Sequence, residues 1–416
     1  MGGLQIEVDP AEVGFDPARL DRIDRHFARY VDEQKLPGWL ITVSRHGKLA
    51  HVSTCGQRDI EAGQPVDSDT LWRIFSMTKP VTSVAAMMLY EQGGFELTDP
   101  VYKYIPSFRD VRVFAGGSDV KYKTVPATEP VRIWHLLSHT SGLTYGFIRS
   151  HPVDAIYRAR GYEFAWPRDA DLAAGCEDFA SMPLLFQPGS EWAYSVATDV
   201  LGRVVEVVAD QRLDEFFATQ IFGPLGMTDS AFYARPEDHS RLAAFYTPSP
   251  EDGKATRLDS MGQAALREPT FLSGGSGLVS SAADYNRFTQ MLLHRPDSPA
   301  GELDGVRLLS PRTVSYMASN HLPGNADVET FGRPLFAETT YAGVGFGLGF
   351  AIVIDPLATK SLGSAGEFHW GGLASTVFWV DPAEQVTAMF FTQLMPSSTY
   401  PIRPQLRQLV NQALID

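Results

Sequence analysis

The chain has 416 residues, 44% hydrophobic and 20% charged, a composition that excludes a disordered or fibrous protein. Lysine and arginine number 35 against 49 aspartate and glutamate, and the net charge of -14 disfavours nucleic acid and anionic membrane surfaces as partners. No apolar run approaches the roughly 20 residues that span a bilayer, and two cysteines, Cys55 and Cys176, without C-x-x-C spacing carry no disulfide framework or redox motif.

In chain order, Met1 to Asp9 lacks the basic and apolar regions of a secretory signal, which leads to the expectation of a cytoplasmic protein. From Asp16 to about Asp32, Leu20, Ile23, Phe27, Tyr30 and Val31 recur at helical spacing, and Leu36-Pro37-Gly38 ends the helix. A hairpin follows, with strands Leu40–Ser44 and Leu49–Val52 around a turn centred on Gly47. Next comes Ser76-Met77-Thr78-Lys79, which opens an apolar run (Val81, Val84, Ala85, Ala86, Met88, Leu89) that reads as a buried helix. Roughly from Asp99 to Pro188 short helical pieces alternate with Pro, Gly and Asp clusters and strand signals are few, which suggests an inserted helical domain. Tyr194 then sits in a turn-rich setting just before another apolar helix. Pro248 to Arg267 and Asn320 to Ala342 read as long surface loops, and Gly274 to Gly277 as a turn. Near the end, Phe368-His369-Trp370-Gly371-Gly372 leads into a second hairpin, Thr376–Val380 with Val386–Phe391, and an amphipathic segment bearing Leu406, Leu409, Val410 and Leu414.

The chemistry is concentrated at Ser76. A serine near a helix start, with Lys79 one turn further on the same face, pairs a nucleophile with a base. Unpaired N–H groups at the helix start favour negative charge beside Ser76, and Pro80 is tolerated in a first turn. A lysine that opens a buried apolar helix needs a reason to be there.

Five segments in this order resemble the serine β-lactamase and penicillin-binding protein superfamily, most closely its family VIII carboxylesterases and statin-type acyltransferases. They are Ser76-Met77-Thr78-Lys79, His135 to Leu143, Pro188-Gly189 leading to Tyr194-Ser195, Gly274 to Leu278, and Trp370-Gly371-Gly372 running into Phe378-Trp379-Val380-Asp381-Pro382. The resemblance implies an α+β fold of β-lactamase/transpeptidase type, with an antiparallel sheet flanked by N- and C-terminal helices and an inserted all-helical domain. Residues 1–98 and 189–416 would form the sheet domain and 99–188 the insert, with the active site in the cleft between them. It implies that Ser76 is acylated, that Lys79 and Tyr194 activate it, and that the N–H groups of Ser76 and Leu373 form the oxyanion hole. If His369-Trp370-Gly371 is the true counterpart of the family's Lys-Thr-Gly, the second donor moves to Gly372.

Trp370 stands where that motif has lysine, and Val196 where Tyr-x-Asn has asparagine, so uncharged apolar acyl groups and esters are expected over β-lactams. Trp370, Gly371 and Gly372 are expected to line the substrate site. Tyr145 and Phe147 could line the acyl pocket or be core aromatics of the helical lobe. His369 should face away from Trp370 because side chains alternate along a strand. His135 and His139 read as structural helix-end residues.

The expected activity is a serine carboxylesterase for short- to medium-chain esters, with an acyltransferase using an alcohol acceptor, or a weak β-lactamase or D-alanyl carboxypeptidase, as alternatives. A small-molecule ester is the expected partner, without cofactor or metal. An unperturbed lysine or tyrosine would need a shift of about 3 pH units to act as a base at pH 7. Burial is expected to lower Lys79 and the neighbouring ammonium to lower Tyr194, the two titrating as a pair.

Overall fold

The structure is a computed structural model that describes residues 4–163, 170–333 and 341–416. Helix α1 (Pro17–Asp32) starts where the Asp16 carboxylate accepts the Arg19 N–H and Pro17 takes the first position, and it buries Leu20, Ile23 and Phe27. Strands β1 (Gly38–Arg45) and β2 (Lys48–Asp59) meet at His46 and Gly47. Both turn residues have positive φ, 53° and 82°, as a two-residue hairpin turn requires. The short strand β3 (Gln64–Pro65) follows. Helix α2 (Thr78–Glu91) is buried from Thr78 to Leu89, with Pro80 in its first turn.

Helices α3 (Ile133–Leu137), α4 (Pro152–Ala159), α5 (Leu172–Ser181), α6 (Ala197–Ala209) and α7 (Ala282–Leu292) come next. The chain then returns to the sheet with β4 (Val344–Phe346), β5 (Ala351–Val353), β6 (Phe368–Gly371), β7 (Val377–Asp381) and β8 (Val386–Phe391), and closes with α8 (Ile402–Asn411).

One eight-stranded sheet has the order β4-β5-β6-β7-β8-β1-β2-β3. The first and last strands are central neighbours, paired antiparallel from Leu40↔Phe391 to Arg45↔Val386. Alternation along each strand divides the core in two. Trp39, Ile41, Trp379 and Phe390 pack with Phe27, Leu406 and Val410 under α1 and α8. Leu40, Phe378, Met389 and Phe391 join the core shared with α2, α6 and α7. This is the α+β arrangement expected, with a sheet flanked by terminal helices.

The region 99–188 is not all helical. Arg112–Gly117 pairs with Tyr122–Pro126 as a hairpin, bulged between Phe114 and Gly116, and the bulge and its glycines hide the strand period. The helical layer also extends beyond that region, since α2 packs on α6, which in turn packs on α3 and α5. Two stretches read as loops carry structure. Ala255–Arg257 pairs with Tyr246–Pro248 and is followed by a short helix, Asp259–Gly262. Within 320–342, Val328–Phe331 is helical, capped by Asp327, while 334–340 lie outside the described residues. Leu414 lies beyond α8 and bridges to Phe15.

Candidate active site

Ser76 sits in a 3-10 turn, Phe75–Met77, that runs directly into α2. The turn is entered through Phe75 at φ 44°, a left-handed conformation costly for a bulky side chain and held by its surroundings. Ile74 donates its N–H to Leu278 O at 3.0 Å, and Tyr285 Oη donates to Met77 O at 2.9 Å. The serine is therefore presented by a strained turn tied on both sides.

Lys79, 1% exposed, places Nζ 3.3 Å from Ser76 Oγ and 2.8 Å from Gly275 O. Tyr194, on the segment entering α6, donates from Oη to Ser76 Oγ at 2.6 Å, and Trp370 Nε1 donates to Tyr194 Oη at 3.3 Å. The Lys79 nitrogen lies 4.4 Å from the Tyr194 ring centre and 5.4 Å from that of Tyr145, within cation–π range. Hydroxyl and amine from one helical turn thus meet a phenol 118 residues further along the chain.

Their ionisation differs from the expectation for one member. Burial lowers Lys79 to about 7, while Asp199 opposes that fall. Tyr194 is raised well above the usual phenol value, because burial outweighs its hydrogen bonds with Ser76 and Trp370 and the pull of Arg403. The expected lowering of Tyr194 by the ammonium does not occur. At neutral pH Tyr194 keeps its proton, and Lys79 is the group that titrates.

The segment after β6 forms the opposite wall. Gly372 donates its N–H to Thr376 O at 2.9 Å, and Arg403 Nη2 donates to Gly372 O at 3.0 Å and to Thr376 O at 3.3 Å. Gly372 is needed here, since a Cβ would collide with Thr376 Oγ1 and Ile74 O. Among the described residues the N–H groups of Ser76 and Leu373 make no hydrogen bond, and both residues line the cleft. With the Gly372 N–H already engaged, the geometry favours Leu373 over Gly372 as a second oxyanion donor.

The expected substrate-site residues Trp370, Gly371, Gly372, Tyr145 and Phe147 line the same cleft as Ser76 and Tyr194, as does the expected oxyanion residue Leu373. Tyr145 and Phe147 stack with ring centres 4.8 Å apart, so the pair is part of the cleft wall as well as of the core's edge. Trp370 faces Tyr194, with ring centres 5.3 Å apart. His369 lies 3.8 Å from the Glu367 carboxylate and also lines the cleft, alongside Trp370.

His135 Nδ1 accepts the Arg132 N–H at 3.0 Å, a helix-end role. His139 Nδ1 is 3.1 Å from Ser195 Oγ and its ring packs 5.1 Å from that of Tyr194, which holds the tyrosine's segment. Val196 is wholly buried and does not line the cleft, so only Trp370 bears on the expected preference for apolar acyl groups.

Sequence reasoning missed Phe75, Ser276 and Trp379 in the cleft wall, and Arg403, whose guanidinium clamps the Gly372 turn. Ser276 and Trp379 lay in segments already singled out, the Gly274 to Leu278 run and Phe378 to Pro382, but neither was read as lining the site. Arg403, on a surface-reading amphipathic segment, gave no sign.

A serine hydroxyl bonded to a buried amine and a phenol, set between a large antiparallel sheet and a helical layer, defines a serine hydrolase of β-lactamase and penicillin-binding protein fold. The chain belongs to the Beta-lactamase family, whose model matches residues 23–412. Esterase EstB of Burkholderia gladioli is 33% identical over 403 residues, covering 92% of this chain and 93% of that one. The monacolin J acid methylbutanoyltransferase of Aspergillus terreus is 28% identical over 407 residues, covering 93% of each. The solved structure of EstCE1, a hydrolase with promiscuous acyltransferase activity, superposes with TM-score 0.77 at 25% identity, over 98% of this chain and 99% of that one. The chain is an ester-hydrolysing or acyl-transferring enzyme of this fold. Among the described residues no helix is long and apolar enough to cross a membrane.

Proposed function

We propose that the chain is a serine carboxylesterase acting on short- to medium-chain esters through an acyl-serine intermediate. The observation that carries this reading is the hydrogen-bonded set around Ser76 Oγ, with Tyr194 Oη at 2.6 Å and Lys79 Nζ at 3.3 Å, in a cleft walled by aromatic side chains. Above pH of about 7 Lys79 carries a free amine that accepts the Ser76 proton as Oγ attacks the ester carbonyl. The oxyanion so formed is bound by the N–H groups of Ser76 and Leu373. Tyr194, a phenol at rest, gives its proton to the departing alkoxide and regains one from the Lys79 ammonium. Water then attacks the acyl-enzyme by the same steps, with the alkoxide replaced by Ser76 Oγ.

The aromatic wall of Phe75, Tyr145, Phe147 and Trp370 supports an apolar acyl group. Hydrolysis of p-nitrophenyl acetate, butyrate and octanoate by wild type and Ser76→Ala, with intact mass after quenching, tests the reading. Turnover and a mass increment of the acyl group in wild type, both absent in Ser76→Ala, are expected. Activity that survives the substitution would place the nucleophile elsewhere.

Acyl transfer to an alcohol is the second reading, supported by the likeness to a methylbutanoyltransferase and to a hydrolase with promiscuous acyltransferase activity. Product partition between acid and ester in the presence of an added alcohol separates the two. Hydrolysis alone at high alcohol concentration rules transfer out.

A further inference from the structure

The buried carboxylate of Asp199 has no place in the chemistry described so far, yet it sits directly behind Lys79. Asp199 lies in the first turn of α6, five residues after Tyr194, and has no solvent exposure. Its Oδ1 accepts two hydrogen bonds, from Ser273 Oγ at 2.5 Å and from the Gly275 N–H at 3.0 Å. Its Oδ2, equally buried, makes no hydrogen bond among the described residues. An ionised or half-satisfied carboxyl in a core is costly and calls for a compensating interaction.

The compensation runs through the glycine-rich turn. Gly275 gives its N–H to Asp199 and its carbonyl to Lys79 Nζ, so one residue faces the carboxylate on one side and the amine on the other. The turn is pressed between α2 and α6. Thr82 Oγ1, one turn beyond Lys79, donates to Gly274 O at 2.6 Å, and a Cβ on Gly274 would overlap Thr198 O at 2.8 Å. On Gly275 a Cβ would meet Asp199 Oδ2 at 3.0 Å and Tyr145 Oη at 3.1 Å. Close approach thus requires Gly274, and a side chain on Gly275 would press on Asp199 and Tyr145, which gives these two glycines a packing reason. Asp199 itself does not line the cleft.

We propose that Asp199 is a positioning residue for Lys79: its carboxylate holds the Ser273–Gly275 turn that supplies the lysine's carbonyl acceptor, and its charge faces the amine across that turn. The proposal rests on the reading of Ser76 and Lys79 given above. The titratable groups around Lys79 are Tyr194, Tyr145, His139 and Asp199, and Cys176 also lies within the field of Asp199. Tyr145 and Cys176 are pushed up and His139 down by burial, so all three stay neutral around pH 7. Burial raises the Asp199 carboxyl above its ordinary value, opposed by its bond from Ser273, the charge of Lys79 and the Gly275 N–H. Asp199 is the one carboxylate among the causes of the Lys79 shift, and its ionised form favours the ammonium. Loss of that charge therefore lowers the pH at which Lys79 becomes a free amine.

The test is the pH dependence of Ser76 phosphonylation by an alkyl p-nitrophenyl phosphonate, in which the Oγ–P bond forms as nitrophenolate leaves. Wild type and Asp199→Asn are compared, with the adduct located by peptide mass. In Asp199→Asn the expected result is labelling still on Ser76, a plateau rate at least about tenfold lower, and an acid limb moved to lower pH, with Asp199→Glu returning the limb towards wild type. A wild-type profile in Asp199→Asn overturns the proposal. So does a lowered plateau with an unmoved limb, which would mean a structural role only. If Asp199→Asn does not fold, Ser273→Ala, which leaves the charge but removes one of its tethers, is expected to lower the plateau, and an unchanged plateau overturns the proposal. Wild type that labels away from Ser76 instead overturns the underlying assignment of the nucleophile, a failure visible without any Asp199 variant.

Discussion

Lys79 and Tyr194 differ in what burial does to them, and that difference sets their parts in the proposed reaction. Burial disfavours the charged form of each, which brings the lysine down to about 7 and drives the tyrosine up. A base of that value is half free at neutrality, whereas the phenol is a proton donor throughout. The sign for activity follows directly. As pH falls through about 7 the amine is protonated and can no longer accept the Ser76 proton, so kcat/KM for p-nitrophenyl butyrate should fall about tenfold per unit below it. A profile that stays flat to pH 5.5 would exclude Lys79 as the base. Tyr194→Phe keeps the ring packed against His139 and Trp370 but removes the proton donor, and kcat should fall by about 10²- to 10⁴-fold with the fold intact by circular dichroism. A rate near wild type would take Tyr194 out of the reaction.

At the scale of elements, the decisive piece is the turn between β6 and β7. Gly372 spends its N–H on Thr376 O, and Arg403 from α8 holds the carbonyls of both residues. That arrangement leaves the Leu373 N–H to the cleft. Gly372→Ala would drive a methyl group into Thr376 Oγ1 and Ile74 O, so the turn must shift away from Ser76. With one oxyanion donor displaced, kcat should drop by about 10²- to 10³-fold. Ser76 phosphonylation and ester hydrolysis, measured on the same preparation, check this. Retention of more than half the wild-type kcat would show that the turn is not part of the oxyanion site.

At the scale of the whole molecule, the sheet is closed by its own ends, with β1 against β8 and α1 and α8 together on one face. One tie between α8 and the sheet is charged. Glu367, with no solvent exposure, receives a hydrogen bond from Arg407, and burial raises its carboxyl from 4.5 to about 7 although the guanidinium opposes this. The folded state therefore holds a proton that the unfolded chain has released. The stability this group contributes is present below pH 4.5 and is lost as pH rises from there to about 7. Arg407→Leu would strand the carboxylate. Urea unfolding should show a loss of about 3–5 kcal/mol at pH 8 and a smaller one at pH 5, where protonation relieves the cost. Equal losses at both pH values would show that the charge pair is not the cause.

The sequence by itself determined what depends on neighbours along the chain. Ser76-Met77-Thr78-Lys79 brings its two polar groups together because one helical turn does so in any fold, and the strands of both hairpins and helices α1 and α2 are written in their own periodicity. The ordered set of motifs then carried Tyr194 and Trp370. What only the tertiary structure decided is what depends on distant partners. Lys79 and Gly275 are 196 residues apart, and Asp199 and Ser273 are 74 apart. Such hydrogen bonds leave no periodic mark, so Asp199 and Arg403 passed as ordinary helix residues. The same holds for ionisation. The balance between desolvation and neighbouring charge follows from three-dimensional burial, which is why the direction of Tyr194's shift emerged only once the chain was folded. The bulged hairpin within 99–188 and the Gly372 N–H engaged by Thr376 likewise depend on the fold's local geometry, not on periodicity.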